Sequence, residues 1–157
     1  MRDVVHEAVE GLGAEQLDAR IDPGANSITW LVWHLTRIQD DHVADAAGWE
    51  QVWHAGGWDE RFALPLPPGS TGYGQTADQV GSVRVGSGDL LLGYYDAVHE
   101  QTERFLRGLH AADLDRVVDE RWDPPVTLGV RLVSVIGDDL QHAGQAAFVR
   151  GVLTRGR

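Results

Sequence analysis

Asp138 stands four residues before His142 in the stretch Gly137-Asp138-Asp139-Leu140-Gln141-His142-Ala143-Gly144-Gln145. On a helix, four residues leave two side chains roughly 40° apart on one face. One helix could then present a carboxylate and an imidazole to the same divalent ion. His34 lies in the apolar stretch Trp30-Leu31-Val32-Trp33-His34-Leu35, and a second helix could bring it to the same point across a bundle. Two imidazoles and one carboxylate are a common catalytic metal set, with positions left open for water or substrate. A structural zinc site is more often closed and cysteine-rich, and this chain has no cysteine.

Blander readings apply to each residue. An Asp-x3-His pair on a helix is often a hydrogen-bonded surface pair, and a His on an apolar face is often a satisfied core residue. Asp139, three residues before His142, is a rival ligand. Asp41, two turns after His34, reads either as a partner that holds an imidazole or as a solvated acid. His6, His54, His99 and His110 read as residues of solvated faces. Arg37, Arg84, Arg131 and Arg150 are candidates to meet an anionic substrate, with nothing to rank them. There is no His-Glu-x-x-His, no Gly-x-Ser-x-Gly and no P-loop.

These residues need helices to position them. A short helix is expected over 3–12, too short to be a good bundle partner. Longer helices are expected over about 27–47, 88–109 and 127–152, each with apolar residues at helical spacing. Ser27 is suited to cap the second helix and Gly48 to stop it. Asp113 to Val118 reads as one further turn, and Trp122-Asp123-Pro124-Pro125 as a break. No convincing strand pattern appears. The expected fold is therefore an all-α four-helix bundle, a single domain over 1–157, with a long connection between helices two and three.

That connection, residues 48–87, holds Trp49, Trp53 and Trp58 and then a run rich in Pro and Gly. The tryptophans argue against disorder, and packing is their simplest role. The length suggests a lid over the site.

Composition excludes several classes. With 13 basic and 24 acidic residues the net charge is -11, and every basic residue is Arg. Such a chain repels phosphate backbones and anionic lipid surfaces on average, so neither nucleic acid nor membrane is an expected partner. No apolar run approaches the ~18 residues of a membrane helix. The N-terminal stretch has no apolar signal core, so a cytoplasmic location is expected. Without cysteine, any thiol chemistry must use a thiol brought by a substrate.

Asn26-Ser27-Ile28-Thr29-Trp30-Leu31-Val32-Trp33-His34-Leu35-Thr36 resembles the second-helix motif of the DinB/YfiT-like metalloenzymes. Asp138 to Gln145, with its His-Ala-Gly-Gln, resembles the fourth-helix motif of the same family. The likeness runs along nearly the whole chain and is nearest to the actinobacterial branch of mycothiol-dependent S-transferases and maleylpyruvate isomerase-type enzymes. It implies a four-helix bundle with a divalent ion, often zinc or nickel, held here by His34, Asp138 and His142. Many members carry His-x3-His on the fourth helix; here the first position is Asp138, as a carboxylate is in some thiol-dependent relatives. The first helix also begins later than is usual in the family.

The resemblance implies a metal-dependent transferase that activates a low-molecular-weight thiol cosubstrate, mycothiol-like, for attack on a small electrophile. A metal-dependent hydrolase using bound water would need the same three ligands. A non-catalytic bundle that binds a small molecule or partner is the third reading. The expected partner is a small-molecule substrate, and a homodimer is the assembly kept open.

Overall fold

A computed structural model describes residues 1–155. Helix α1 spans Arg2–Val9, and a single turn α2 spans Ala14–Leu17. Helix α3 spans Ile28–Ala47. The long connection then folds as α4 (Val52–Ala55), α5 (Trp58–Phe62) and α6 (Ala77–Ser82). Helix α7 spans Gly88–Arg107, a 3-10 turn spans Ala111–Asp115, and α8 spans Leu128–Thr154. Helices α1, α3, α7 and α8 form the bundle, with α3 packed against both α7 and α8.

Side-chain caps set where the long helices begin. The hydroxyls of Ser27, Ser87 and Thr127 accept from the backbone N–H groups of Trp30, Asp89 and Val130. Each satisfies a donor that has no partner inside its own helix. Gly48, with φ 72, ends α3 in the left-handed conformation. Helix α3 is buried along almost its entire length, so it is the central element rather than a surface helix.

Helix α1 proves a true bundle member despite its length. Val5, Ala8 and Val9 are buried, and α1 packs on α8 and α7. Burial of one apolar face, rather than helix length, decides this. The reading without strands also needs correction. Val117–Asp119 and Val126–Thr127 pair as a short antiparallel ribbon around the Trp122-to-Pro125 break. Two strands this short have no alternating pattern to detect, and their support comes from packing on α8.

Residues 48–87 are structured, and two of their tryptophans pack. Trp53 lies against Trp33, Phe62 and Tyr94, and Trp58 lies against Tyr94. Trp58 also fits over Gly93, where an added Cβ would come within 2.9 Å of its ring. Beneath them, Arg37 and Asp40 of α3 anchor the segment. Asp40 accepts from the backbone N–H groups of Val52 and Trp53 and from the Tyr94 hydroxyl. Arg37 donates to the Ser70 carbonyl, to Gln51 and to the Tyr94 oxygen.

Candidate metal centre

Helices α3 and α8 run antiparallel, as two cross-contacts show: His34 meets His142, and Asp45 meets Arg131. This register brings His34, Asp138 and His142 together, each offering one ligand atom, with these atoms all within 4.8 Å of one another. The two imidazole rings lie 4.7 Å apart between centroids. His34 is buried, while Asp138 and His142 are half-buried, so the cluster sits where the bundle core meets solvent.

Each imidazole is oriented by a bond on its far nitrogen. His34 Nδ1 donates to the Thr71 carbonyl at 2.5 Å, and the face of the ring stacks on Trp30 at 4.5 Å. Trp30 is itself fixed, its indole N–H donating to Gln75 at 2.8 Å. His142 Nδ1 lies 2.9 Å from the Gln145 carbonyl oxygen and donates to it. The Nε2 lone pair of each ring is then free, the arrangement that metal-binding histidines require. Thr71 and Gln75 belong to the long connection, so residues 71–75 close over the back of His34. Gly72 makes the approach feasible. Its φ is +98, and a Cβ there would stand 2.5 Å from His34 Nδ1.

Burial pushes the His34 pKa down, and the neighbouring His142 adds to this, so the ring is held neutral as a ligand must be. Asp138 raises the pKa of His142, whose Nε2 is 3.6 Å from its carboxylate. For Asp138, burial favours the neutral acid, but His142, His34 and His42 together outweigh it and keep the carboxyl ionised. The Asp138 carboxylate is therefore available as an anionic ligand. In addition, Asp138 Oδ2 is buried without a hydrogen-bond partner among the described residues. A carboxylate oxygen left without a partner, beside two free imidazole nitrogens, fits a bound cation.

Asp139 is placed differently. It is buried outside the ligand cluster, and burial together with the Asp138 charge pushes its pKa up to about 8. Asp138 is thus the carboxylate that meets the imidazoles. Asp41 holds neither ring; it accepts from Gln51. The arginine candidates also separate. Arg37 is fully buried in the α3 anchor, Arg84 donates to the Gly81 carbonyl, and Arg150 donates to the carbonyls of Ala8 and Glu10. Arg84 also lines a separate cleft with Arg20, whereas Arg131 lines one between α3 and α8.

That cleft, about 590 Å³, continues the α3–α8 groove beyond the cluster. Its wall includes Ser134, one turn before Asp138, and His42, two turns after His34. None of the three clustered residues lines it. Trp49 and Trp122 are both exposed and both line this cleft, and Arg131 at its base is paired with Asp45 and Asp119. His42 and Trp122 were not singled out by spacing, because only the α3–α8 register and the ribbon carry them to one wall.

The sequence profile of the DinB superfamily matches residues 1–146. A crystal structure of a conserved protein from Enterococcus faecalis superposes with a TM-score of 0.91 at 31% identity, covering 99% of this chain and 91% of that one. Comparison with curated proteins returned no match. Among the described residues, no helix is long and apolar enough to cross a membrane.

Proposed function

The chain belongs to the DinB superfamily, and we propose that it is a metal-dependent transferase that joins a low-molecular-weight thiol to a small electrophile. The observation that carries the reading is the convergence of His34, Asp138 and His142 from two antiparallel helices, beside a cleft large enough for a small molecule. The likeness of the two motifs to the mycothiol-dependent branch supports a thiol as cosubstrate. Zero cysteine is consistent, since no protein thiol competes for the electrophile.

His34, Asp138 and His142 would hold the ion. A divalent ion there supplies Lewis acidity, which favours the deprotonated form of a thiol at neutral pH. The protein's share of the work is positioning. The Thr71 carbonyl and the Gln145 side chain keep both Nε2 atoms turned inward, so little reorganisation is needed on binding. Trp30 shields one face of His34 from water. The cleft between α3 and α8 receives the reactants, with Trp49 and Trp122 as apolar surfaces and Ser134 and His42 as the polar groups nearest the cluster.

Protein purified without a His tag should contain about one zinc or nickel per chain by elemental analysis. His34→Ala should lose it, together with thiol-dependent consumption of a reporter electrophile. A thioether product supports the transferase. Metal-dependent turnover without added thiol, giving a hydrolysis product, moves the assignment to hydrolase. Absence of metal, with no uptake of added zinc or nickel, rejects both.

A further inference from the structure

Among the described residues, His42 is the one histidine of the seven whose ring makes neither a hydrogen bond nor an ion pair. Carboxylates hold His6, His54, His99 and His110, the Thr71 carbonyl holds His34, and Gln145 holds His142. His42 is half-buried, and a ring withdrawn from water normally finds a partner, because its nitrogens lose hydration otherwise. Its ring instead lines the cleft of about 590 Å³, where a bound molecule could supply the missing partner.

Helix pairing fixes where this imidazole stands. The antiparallel register that joins His34 to His142 and Asp45 to Arg131 sets His42 opposite Ser134, one turn along α8 from Asp138. Helical side chains lean toward the N-terminus of their own helix. On α3 this tilts His42 toward the level of His34, and on α8 it tilts Asp138 toward the level of Ser134. From opposite helices the two side chains therefore lean toward one gap, between the cluster and the cleft. Asp138 is among the charges that act on His42, yet no hydrogen bond or ion pair joins the two. A thiol that reaches the cluster from the cleft passes the His42 ring.

We propose that His42 is a catalytic base, taking the proton of the attacking thiol. The inference rests on the transferase reading above. The S–H bond breaks, its electron pair stays on sulfur, and the proton moves to the open nitrogen of His42. The sulfur pair then forms the C–S bond as the bond from that carbon to its leaving group breaks. The leaving group departs with the electrons of the broken bond, and the imidazolium gives its proton to water through the open cleft. The other candidate acceptors are engaged. Asp41 accepts from Gln51, Asp45 and Asp119 hold Arg131, and Asp119 also holds Arg121. His34 and His142 each spend Nδ1 on an orienting bond and turn Nε2 to the cluster. His42 is also in the protonation state that a base needs. Burial pushes its pKa down and Arg131 adds to this, outweighing Asp41, Asp45 and Asp138, so the ring is neutral at neutral pH.

The test uses the tag-free, zinc-loaded protein with mercaptoethanol as the thiol and monochlorobimane as the electrophile. His42→Gln removes the base and keeps a polar side chain. Its circular dichroism should match the parent, and its zinc affinity by isothermal titration should stay within about threefold, because the ligand set is intact. Thioether formation at neutral pH should fall roughly 100-fold. That deficit should shrink as pH rises toward about 8.5, where a thiol ionises without help; a residue that only packs would leave the deficit independent of pH. A second readout needs no turnover. In proton NMR of the zinc-loaded parent the His42 ring should still titrate, below the ordinary value near 6.5. Adding mercaptoethanol should raise that midpoint by at least about 0.5, since a thiolate then lies beside the ring. A parent that binds no zinc, or binds it and forms no thioether, rejects the transferase reading and this inference with it. A parent that forms thioether while His42→Gln does so within about threefold overturns the inference alone. It is equally overturned if the His42 ring stops titrating on zinc loading, which would make it a ligand, or if its titration ignores the thiol.

Discussion

Asp40 stands six positions after His34 on α3, and both side chains are buried, yet their surroundings are built on opposite terms. Neither Asp40 nor Arg37 leaves a buried polar atom unmatched among the described residues. The two Asp40 oxygens accept from Val52 N–H, Trp53 N–H and the Tyr94 hydroxyl, and Arg37 is spent on Ser70, Gln51 and Tyr94. Around His34 the matching stops short. Asp138 Oδ2 at the cluster and Oδ1 of its neighbour Asp139 are buried without hydrogen-bond partners among the described residues. A satisfied polar network holds a fold in one arrangement, while an unsatisfied one holds capacity for something else. The contrast separates two jobs on one helix: Arg37 and Asp40 dock the long connection, and His34 faces the groove.

The largest effect should come from the satisfied cluster. Asp40→Ala leaves the Arg37 guanidinium buried without its carboxylate and strips two backbone N–H groups of their acceptor. It should cost about 3–5 kcal/mol of stability in urea denaturation. Asp138→Ala, tested without metal, should cost less than about 1 kcal/mol, because its second oxygen has no bond to lose. Comparable losses at the two positions would erase the distinction.

Metal affinity should invert that order. Asp138→Ala removes one ligand of the set and should weaken binding by roughly 3 kcal/mol, or about 100-fold, a share of the ~10–16 kcal/mol of a structural zinc site. Asp138→His places an imidazole at the same point of the helix and should keep zinc or nickel. Asp139→Ala should change affinity far less, as its carboxyl lies outside the cluster. Titration of the three variants decides it. A selective loss in Asp139→Ala would move the ligand role to that residue.

The sequence made some of this legible and hid the rest for identifiable reasons. The long helices and their caps follow from local chemistry at Ser27, Ser87 and Thr127, and the spacing of Asp138 and His142 needs only helical periodicity. Arg37 illustrates the limit. As one arginine among 13 it looked available for an anionic substrate, and only the fold of residues 48–87 over α3 shows it to be enclosed. Asp40 gave no signal at all, since its partners are backbone groups of a segment with no fixed distance along the chain. The length of the connection suggests a lid. In the structure it is largely packed through Trp53 and Trp58, and only residues 71–75 reach the cluster.

Those few residues allow a smaller test of the same comparison. Gly72→Ala would set a Cβ 2.5 Å from His34 Nδ1 at a φ of +98, so the Thr71 carbonyl must shift off the imidazole. Loss of such an orienting bond should weaken metal binding about 10- to 100-fold while the ligands themselves remain. Isothermal titration with zinc checks it. Unchanged affinity would mean that the α3–α8 packing alone sets the His34 ring.

A third polar cluster isolates burial from satisfaction. On α7, Asp96 is as well matched as Asp40: it accepts from Arg2 Nε at 2.8 Å and meets His6 Nε2 at 2.9 Å, which ties α1 to α7. It is partly open to water, so its charges are screened and need no protein partner. The bond to Asp96 raises the His6 pKa, and the bonds from Arg2 and then His6 lower that of Asp96. A raised histidine contributes stability that is complete below its unfolded value near 6.5 and fades as pH rises through the folded value. A lowered carboxyl contributes stability present above its unfolded value near 4 and lost as pH falls through the folded one. Both contributions are complete only between about pH 4 and 6.5. Asp96→Ala should therefore cost less than about 1 kcal/mol, most within that window and less above it, where only the Arg2 contact remains. Urea denaturation of parent and variant at a series of pH values measures the difference. A loss as large as that of Asp40→Ala would show that matching alone, without burial, sets the energetic weight of a polar cluster. A difference independent of pH would remove His6 from the tie.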